Sequence, residues 1–273
     1  LFTQMNVSDP LNLTQWSTGG YPMLTGGSVN SLPYLEGQGG NNKSNTYRLN
    51  GNFTLTFDPV DWITLEGIVS PRYIMSEGHV FRDKIVFWTD PFGTVSSSSN
   101  VVHNSLSESC TRSFYGNYYA KMILHRTFAK SHNVRLLLGA SYEDWTQKTL
   151  SAYRQDYAYP QYDVISAGAD DETKGNDGRI YQYAYGSFFG RINYNFKERY
   201  LFETNLRYDG SSRFAKENRW APFMSYSAAW RISEEPWMRP LKNILTEIKL
   251  RGSYGTLGNQ NISSSYYPTS QNL

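Results

Sequence analysis

From Tyr47 the chain alternates with a period of two. Tyr47, Leu49, Gly51, Phe53, Leu55 and Phe57 fall on one side, and Arg48, Asn50, Asn52, Thr54 and Thr56 fall on the other. Side chains of a β-strand point to opposite faces in turn, so this stretch is a strand with one oily and one polar face. The pattern recurs along the chain, and no helix-period stretch of comparable length accompanies it. A soluble antiparallel sheet also alternates, with the apolar face on a core. Here the segments are long, aromatic-rich and mostly not joined by compact turns. The same alternation suits a membrane β-barrel, apolar toward lipid and polar toward the lumen.

The spacing predicts about eight strands, over residues 46–57, 62–75, 113–128, 134–148, 180–196, from 200 to about 209, 220–232 and 247–257. Asp58, Pro59, Val60 and Asp61 make a tight turn, since Pro presets φ and Asp bonds the backbone. Residues 129–133 and 197–199 are also short links, whereas 76–112 and 149–179 are long. Pro71 implies a bulge or an early end to pairing. In residues 233–246, Ser233 is placed to cap a short helix between Pro236 and Leu245, and Asp209-Gly210 to reverse the chain tightly. The order short, long, short, long matches barrels with short periplasmic turns and long extracellular loops. The expected organisation is therefore an extracellular loop region at 1–45 and barrel strands across 46–257. Loops 76–112 and 149–179 are extracellular, and a further loop begins at 258–273.

Composition sharpens this. Only 39% of residues are hydrophobic and mean hydropathy is −0.56. There is no run of 18 apolar residues that would make a transmembrane helix. Aromatics reach 16%, with 22 Tyr, which suits the amphipathic belts at membrane interfaces. A net charge of +2 without a basic block leaves no footprint for nucleic acid. The single Cys110 excludes an internal disulfide framework and any cysteine-based zinc site. Residues 1–10 lack the basic start and apolar run of a signal peptide, and the chain reads as a piece of something larger.

Three blocks late in the chain carry a family resemblance. They are NLRYDGSSRF from Asn205, NRWAPFMSYSAAWRISEEPWM from Asn218 and IKLRGSYGTLGNQNI from Ile248. In order and spacing they resemble the SusC/RagA-like TonB-dependent outer-membrane transporters of Bacteroidota. The likeness is specific from about Gly186 to Ile262 and looser upstream, around YRLNGNFTLTFDPVDW from Tyr47. It implies an all-β fold: an internal fragment of a transmembrane antiparallel β-barrel, with about eight strands of a roughly 22-stranded, plugged barrel. It also implies an outer-membrane location in contact with lipid and a SusD-like lipoprotein lid. Coupling to the TonB complex would run through a plug segment not seen in this sequence, and the substrate would be a glycan or a peptide.

Candidate binding residues come from the loops and the polar faces. Tyr153, Tyr157, Tyr159 and Tyr162 offer a stacking surface for sugar or peptide, although loop packing is the plainer reading. Asp163, Asp170, Asp171, Glu172 and Asp177 carry hard oxygens, but Lys174 and Arg179 interleave and the spacing is not that of an EF-hand, so a solvated loop is favoured. The lumen-facing set on the strands begins with Arg48, Glu66, Lys121, His125, Arg135 and Glu143. It continues with Arg191, Glu203, Arg207, Lys249 and Arg251. Mixed charge of this kind fits a wet wall that bonds a plug and a polar solute. No HExxH, Walker, GxSxG or paired-cysteine motif is present, and no catalytic residue, metal or cofactor is expected.

The function expected is part of a TonB-dependent importer of glycans, oligosaccharides or peptides, without enzymatic chemistry. Two rivals remain at this point. One is a complete small outer-membrane barrel acting as a porin or adhesin; the other is a soluble carbohydrate-binding β-sandwich.

Overall fold

A computed structural model describes residues 14–24, 30–95, 101–241 and 243–259. Most of the loop expected at 258–273, the serine run 96–99 and much of the region 1–45 lie outside the described residues. Ten strands form one antiparallel sheet. They are β2 (Gly40–Asn50), β3 (Phe53–Val60), β4 (Ile63–Val69), β5 (Arg72–Arg82) and β7 (Ser105–Phe128). With them are β8 (His132–Gln155), β9 (Gly175–Phe196), β10 (Tyr200–Ser211), β11 (Trp220–Arg231) and β12 (Lys249–Gly255). The spatial order is β12-β11-β10-β9-β8-β7-β4-β3, with β5 bridging β2 and β7. Two short strands, β1 (Tyr21–Pro22) and β6 (Phe87–Trp88), pair separately and in parallel.

Sequence neighbours are sheet neighbours from β7 to β12, as up-and-down strand order requires. The first predicted strand is in fact two, β2 and β3, separated at Gly51-Asn52. The facing strand breaks at the same level, between Val69 and Arg72, where Pro71 has no N–H to give the ladder. The Gly51 N–H donates to the Pro71 carbonyl at 2.8 Å and so closes the paired interruption.

The long loops are shorter than the alternation suggests. β5 runs on to Arg82 and β7 begins at Ser105; β8 reaches Gln155 and β9 begins at Gly175. Those flanks carry only isolated apolar residues, such as Phe81 and Leu106, among polar ones, so no sustained alternation reveals them, and ladder hydrogen bonds need no hydrophobic side chain. Likewise β2 starts at Gly40, inside the stretch read as loop. β7 and β8 each have 24 residues, about twice the 9–11 needed to span a bilayer.

Asp209-Gly210 is not a reversal. Strand β10 continues through both residues to Ser211, and neither has positive φ. Gly210 serves close approach instead. A Cβ there would lie 2.5 Å from Trp220 ring atoms across the β10–β11 ladder. The true tight reversals are elsewhere. Ala129 and Lys130 (φ 48° and 56°) and Lys197 and Glu198 (φ 52° and 57°) put left-handed backbone into the three-residue links 129–131 and 197–199, without glycine or asparagine.

The chain divides into two compact units, and β7, β8 and β9 each cross the division. Unit 1 comprises residues 1–47, 74–112 and 148–179. It has a small conventional core of Phe81, Leu106 and Tyr157, against which Ile165 packs. Unit 2 comprises residues 48–73, 113–147 and 180–273. Among its described residues, Met238 alone is a buried hydrophobic side chain. Its sheet instead presents the oily face outward. Along β11 exposure alternates residue by residue, with Trp220, Met224, Tyr226 and Trp230 on the open face and Ser225, Ser227 and Arg231 more enclosed.

Two outcomes are expected in the whole protein carrying this chain. Gly210→Ala forces Trp220 from its seat and costs about 1–3 kcal/mol, read as a lower temperature for loss of the compact band in semi-native gels. Glu198→Gly relieves a left-handed non-glycine residue and raises the same temperature, by a gain of about 1 kcal/mol at most; an unchanged Glu198→Gly midpoint would contradict the turn geometry.

Candidate functional site

The apolar face of unit 2 carries two bands of aromatic rings. Near the short turns, His132 lies against Phe196 (4.7 Å between centroids), Phe196 against Tyr200 (6.3 Å) and Tyr200 against Trp230 (6.4 Å, 10° between planes). At the other end, Trp220 stacks on Tyr208 (5.2 Å) and on Phe188 (6.0 Å). Between them come Phe202, Leu206, Ile192, Met224 and Ala228, all exposed. Eight residue steps separate Tyr200 from Tyr208 and ten separate Trp220 from Trp230. At about 3.3 Å per step and a tilt near 40° the bands are roughly 20–25 Å apart. That is the height of the lipid-facing band of an outer-membrane barrel between its aromatic girdles. An apolar concavity of about 830 Å³ lined by Phe53, Leu55, Val69, Tyr118, Tyr142 and Phe188 lies on this same face.

The lower girdle is tied down by Glu235, which is 7% exposed. The Tyr200 hydroxyl (2.7 Å) and the Trp230 ring N–H (3.0 Å) both donate to its Oε1, and Arg199 reaches Oε2 at 3.4 Å. These donors hold the Glu235 carboxyl below the usual carboxylate range, the Tyr200 hydroxyl most of all. The expected cap is not made by Ser233: its hydroxyl is buried without a partner, and the segment forms 3-10 turns at Ile232–Glu234 and Pro236–Leu241.

The opposite, polar face gathers most of the charged residues predicted for it. Glu66 and Lys121 are direct cross-strand partners with an ion pair at 2.7 Å. Glu143 accepts from the Tyr183 hydroxyl at 3.1 Å. Arg191 donates to Asn205, and Glu203 accepts from Asn193 (2.8 Å) and Asn205 (3.1 Å). Arg207 donates to Asp209 and Ser187, and Ser187 in turn bonds Asp209. His125, Arg135, Lys249 and Arg251 line a cavity of about 450 Å³ on this sheet. Arg48 lies exposed on β2. None of these groupings is a catalytic constellation.

In unit 1 the tyrosine quartet does not form one surface. Tyr157 is 4% exposed and packs edge-on against Phe81 at 5.4 Å. Asn104 fixes its backbone twice, accepting from the Tyr157 N–H (2.7 Å) and donating to the Tyr157 carbonyl (2.9 Å). Burial pushes the Tyr157 phenol up. A hydrophobic seat between β5 and β7 was available to it, and sequence spacing gives no sign of such a seat. Tyr159 and Tyr162 stay exposed and pair edge-to-face at 6.4 Å, while the Tyr153 hydroxyl donates to Gln155 on β8. The acidic residues are spread over separate partners: Asp170 pairs with Lys174 and Arg154, and Asp177 with Arg179. Among the described residues no cluster suited to a metal forms.

The link that sequence reading missed is His79. Its Nδ1 lies 2.6 Å from Glu108 and its Nε2 lies 2.9 Å from Asp163, which also accepts from Asn41 at 3.3 Å. One imidazole thus ties the loop at Asp163 to two strands. Asn41 first, then the facing His79, keep the Asp163 carboxyl below the usual range. The three residues lie 29 and 84 positions apart, so no local pattern signals them.

These features define a segment of transmembrane-type antiparallel β-barrel wall with an apolar face between two aromatic bands. Comparison with known proteins agrees. The chain is similar to the TonB-dependent receptor SusC of Bacteroides thetaiotaomicron, 46% identical over 80 residues, covering 29% of this chain and 8% of that protein. It is similar to the TonB-dependent receptor P26 of Formosa agariphila, 28% identical over 230 residues, covering 81% of this chain and 22% of that one. Among solved structures it resembles the RagAB peptide importer in its closed-closed state, with a TM-score of 0.76 at 22% identity over 91% of this chain and 26% of that one. No protein-family model matches. The resemblance to SusC/RagA-like transporters drawn from residues 186–262 is therefore borne out, and the chain spans about a quarter or less of the relatives it matches.

Two measurements check the loop and girdle anchors. His79→Ala is expected to speed protease cleavage within residues 156–174 without altering the sheet's resistance; unchanged cleavage would show that the imidazole anchors nothing. Because the Glu235 pKa is lowered on folding, its stabilisation is complete above the ordinary carboxylate value of 4.5 and is lost as pH falls through the folded value. Wild type should therefore lose more thermal stability than Glu235→Gln between pH 6 and pH 3, about one pKa span on either side of that value.

Proposed function

We propose that this chain forms wall and loops of an outer-membrane importer of the SusC/RagA type, driven by the TonB complex and taking up glycans, oligosaccharides or peptides. The observation that carries the reading is the inverted sheet of unit 2. Its apolar side chains face away from the protein between two aromatic girdles, and its charged side chains share the opposite face. A soluble sandwich would bury the first set and wet the second. The charged set from Glu66 to Arg251 then lines a lumen, and the stretches 76–112 and 149–179 are extracellular. The relatives support the transport reading by name: both curated relatives above are TonB-dependent receptors, and the neighbouring structure is of a peptide importer.

The partners follow from the same reading. Lipid meets the apolar face, a SusD-like lipoprotein covers the extracellular side, and a plug elsewhere in the protein engages TonB. Tyr159 and Tyr162, exposed on the loop after β8, are available to the lid or to solute. The wall moves solute and performs no covalent chemistry.

The test uses the whole protein with Cys110 replaced by serine and single cysteines placed at Leu206 or Asn205. Spin labels at Leu206 should favour oxygen and those at Asn205 an aqueous relaxant in outer-membrane vesicles. Equal access at both sites would overturn the reading.

A further inference from the structure

The segment between β8 and β9 is fastened to unit 1 in several places. Asn104 fixes the backbone of Asp156 and Tyr157, Ile165 packs on the core, and Arg154 bonds the Gly168 carbonyl and Asp170. Between Tyr157 and Ile165 the backbone folds on itself: the Tyr162 N–H donates to the Tyr159 carbonyl and the Val164 N–H to the Tyr162 carbonyl. Among the described residues, the hydrogen bonds that tie this stretch to a strand all end on the Asp163 carboxylate. They come from His79 on β5 and Asn41 on β2. Tyr159 and Tyr162 ride on the same stretch, exposed and edge-to-face.

The His79 ring faces two carboxylates at once. Nδ1 lies 2.6 Å from Glu108 Oε1 on β7, and Nε2 lies 2.9 Å from Asp163 Oδ2. An ionised carboxylate only accepts, and a neutral imidazole carries one N–H. Both contacts are hydrogen bonds together only when the ring is an imidazolium. The other groups near it do not take over that duty. Asn41 donates to Asp163, Lys43 on β2 adds positive charge beside Asp163, and the Tyr157 phenol, which feels Glu108 and Asp163, is pushed up by burial and stays neutral. With the ring neutral, one carboxylate faces a nitrogen lone pair at hydrogen-bond distance. Glu108 sits on a paired strand and Asp163 on a loop, so the loop side gives way. His103 differs. Its Nδ1 makes a single contact, 2.7 Å from Asp156, which a neutral ring keeps by donating from that nitrogen.

We propose that His79 is a proton-operated latch on this loop: the imidazolium holds residues 158–164, with Tyr159 and Tyr162, against the strands, and the neutral ring releases them. A contact that favours imidazolium over imidazole is strongest in acid and is lost as the ring gives up its proton. The Asp163 carboxyl is held below the usual range, so it remains ionised on the acid side of that change. The latch is therefore closed in mild acid and open in mild alkali. Every group that works it lies in unit 1. The latch needs no assumption about transport; only its control by the outside medium rests on the importer reading, in which the loop is extracellular.

The experiment uses the whole purified protein in detergent, with native cysteines, Cys110 included, replaced by serine. A spin label is placed on Gln161→Cys in the loop or, as a reference, on Lys148→Cys in β8. From about pH 5 to about pH 8.5, a span that brackets an ordinary imidazole, the mobile fraction at residue 161 should rise at least about fivefold. The label at residue 148 should not change. His79→Ala should leave the loop label mobile throughout. Asp163→Asn, whose amide offers a donor or an acceptor to either ring form, should flatten the pH response and serves where His79→Ala fails to fold. His103→Ala should keep the response. A loop label that ignores pH in the wild type overturns the proposal, as does release in acid instead of alkali. So does a response that survives in His79→Ala or Asp163→Asn, disappears in His103→Ala, or is shared by residue 148. The measurement needs no membrane or solute, so its failure leaves the oxygen and relaxant test of the importer reading untouched.

Discussion

The ladder of backbone hydrogen bonds between adjacent strands is the constraint from which the rest of this structure follows. In a bilayer no water can satisfy an N–H or a carbonyl, so each strand must be paired along its length. Pairing frees the side chains from any duty to shield the backbone. Unit 2 shows the consequence: a sheet whose large apolar groups are open on one face and whose described residues include a single buried hydrophobic side chain. The hydrophobic effect still acts on Leu55, Leu206 or Trp230, but it acts through the solvent that covers them rather than through a protein core.

The girdles show how such a sheet is positioned. Tyr200 and Trp230 put rings on the apolar face and hydrogen-bond donors on Glu235. Amphipathic rings favour a boundary between lipid and water, and the anchoring carboxylate at the strand ends holds these two rings at one level. At the other end Trp220 lies flat across Gly210, and a missing Cβ is what admits the ring. Unit 1 obeys the opposite rule. It excludes water in the ordinary way, with Phe81, Leu106 and Tyr157 in contact and polar ties from Asn104 and His79.

Much of the membrane-facing half was legible from residue order. Period-two alternation located the strand-forming stretches of unit 2, though it merged β2 with β3 and β4 with β5, because that signal is local and a barrel strand expresses it directly. The loop-side strand extensions at 105–112, 149–155 and 175–179 were not legible, since isolated apolar residues such as Leu106 and Leu150 make no sustained alternation and pairing leaves no mark on composition. Asp209-Gly210 misled for a related reason. Glycine serves turns and close approaches alike, and the Trp220 ring that distinguishes them is ten residues away. The tyrosine quartet looked like one surface in sequence and separated once Phe81 and Leu106 offered Tyr157 a dry seat.

The chain by itself determined the alternation, the scarcity of apolar runs and the family blocks, and these set the fold class and the kind of transporter it resembles. Each depends on neighbours a few residues apart. Only the tertiary structure decided which charges meet. The Glu66–Lys121 pair, the grip of Glu235 on the girdle and the His79 tie all depend on strand register. Register joins residues tens of positions apart, and a one-residue slip would turn strand residues such as Lys121, Tyr200 and His79 to the other face.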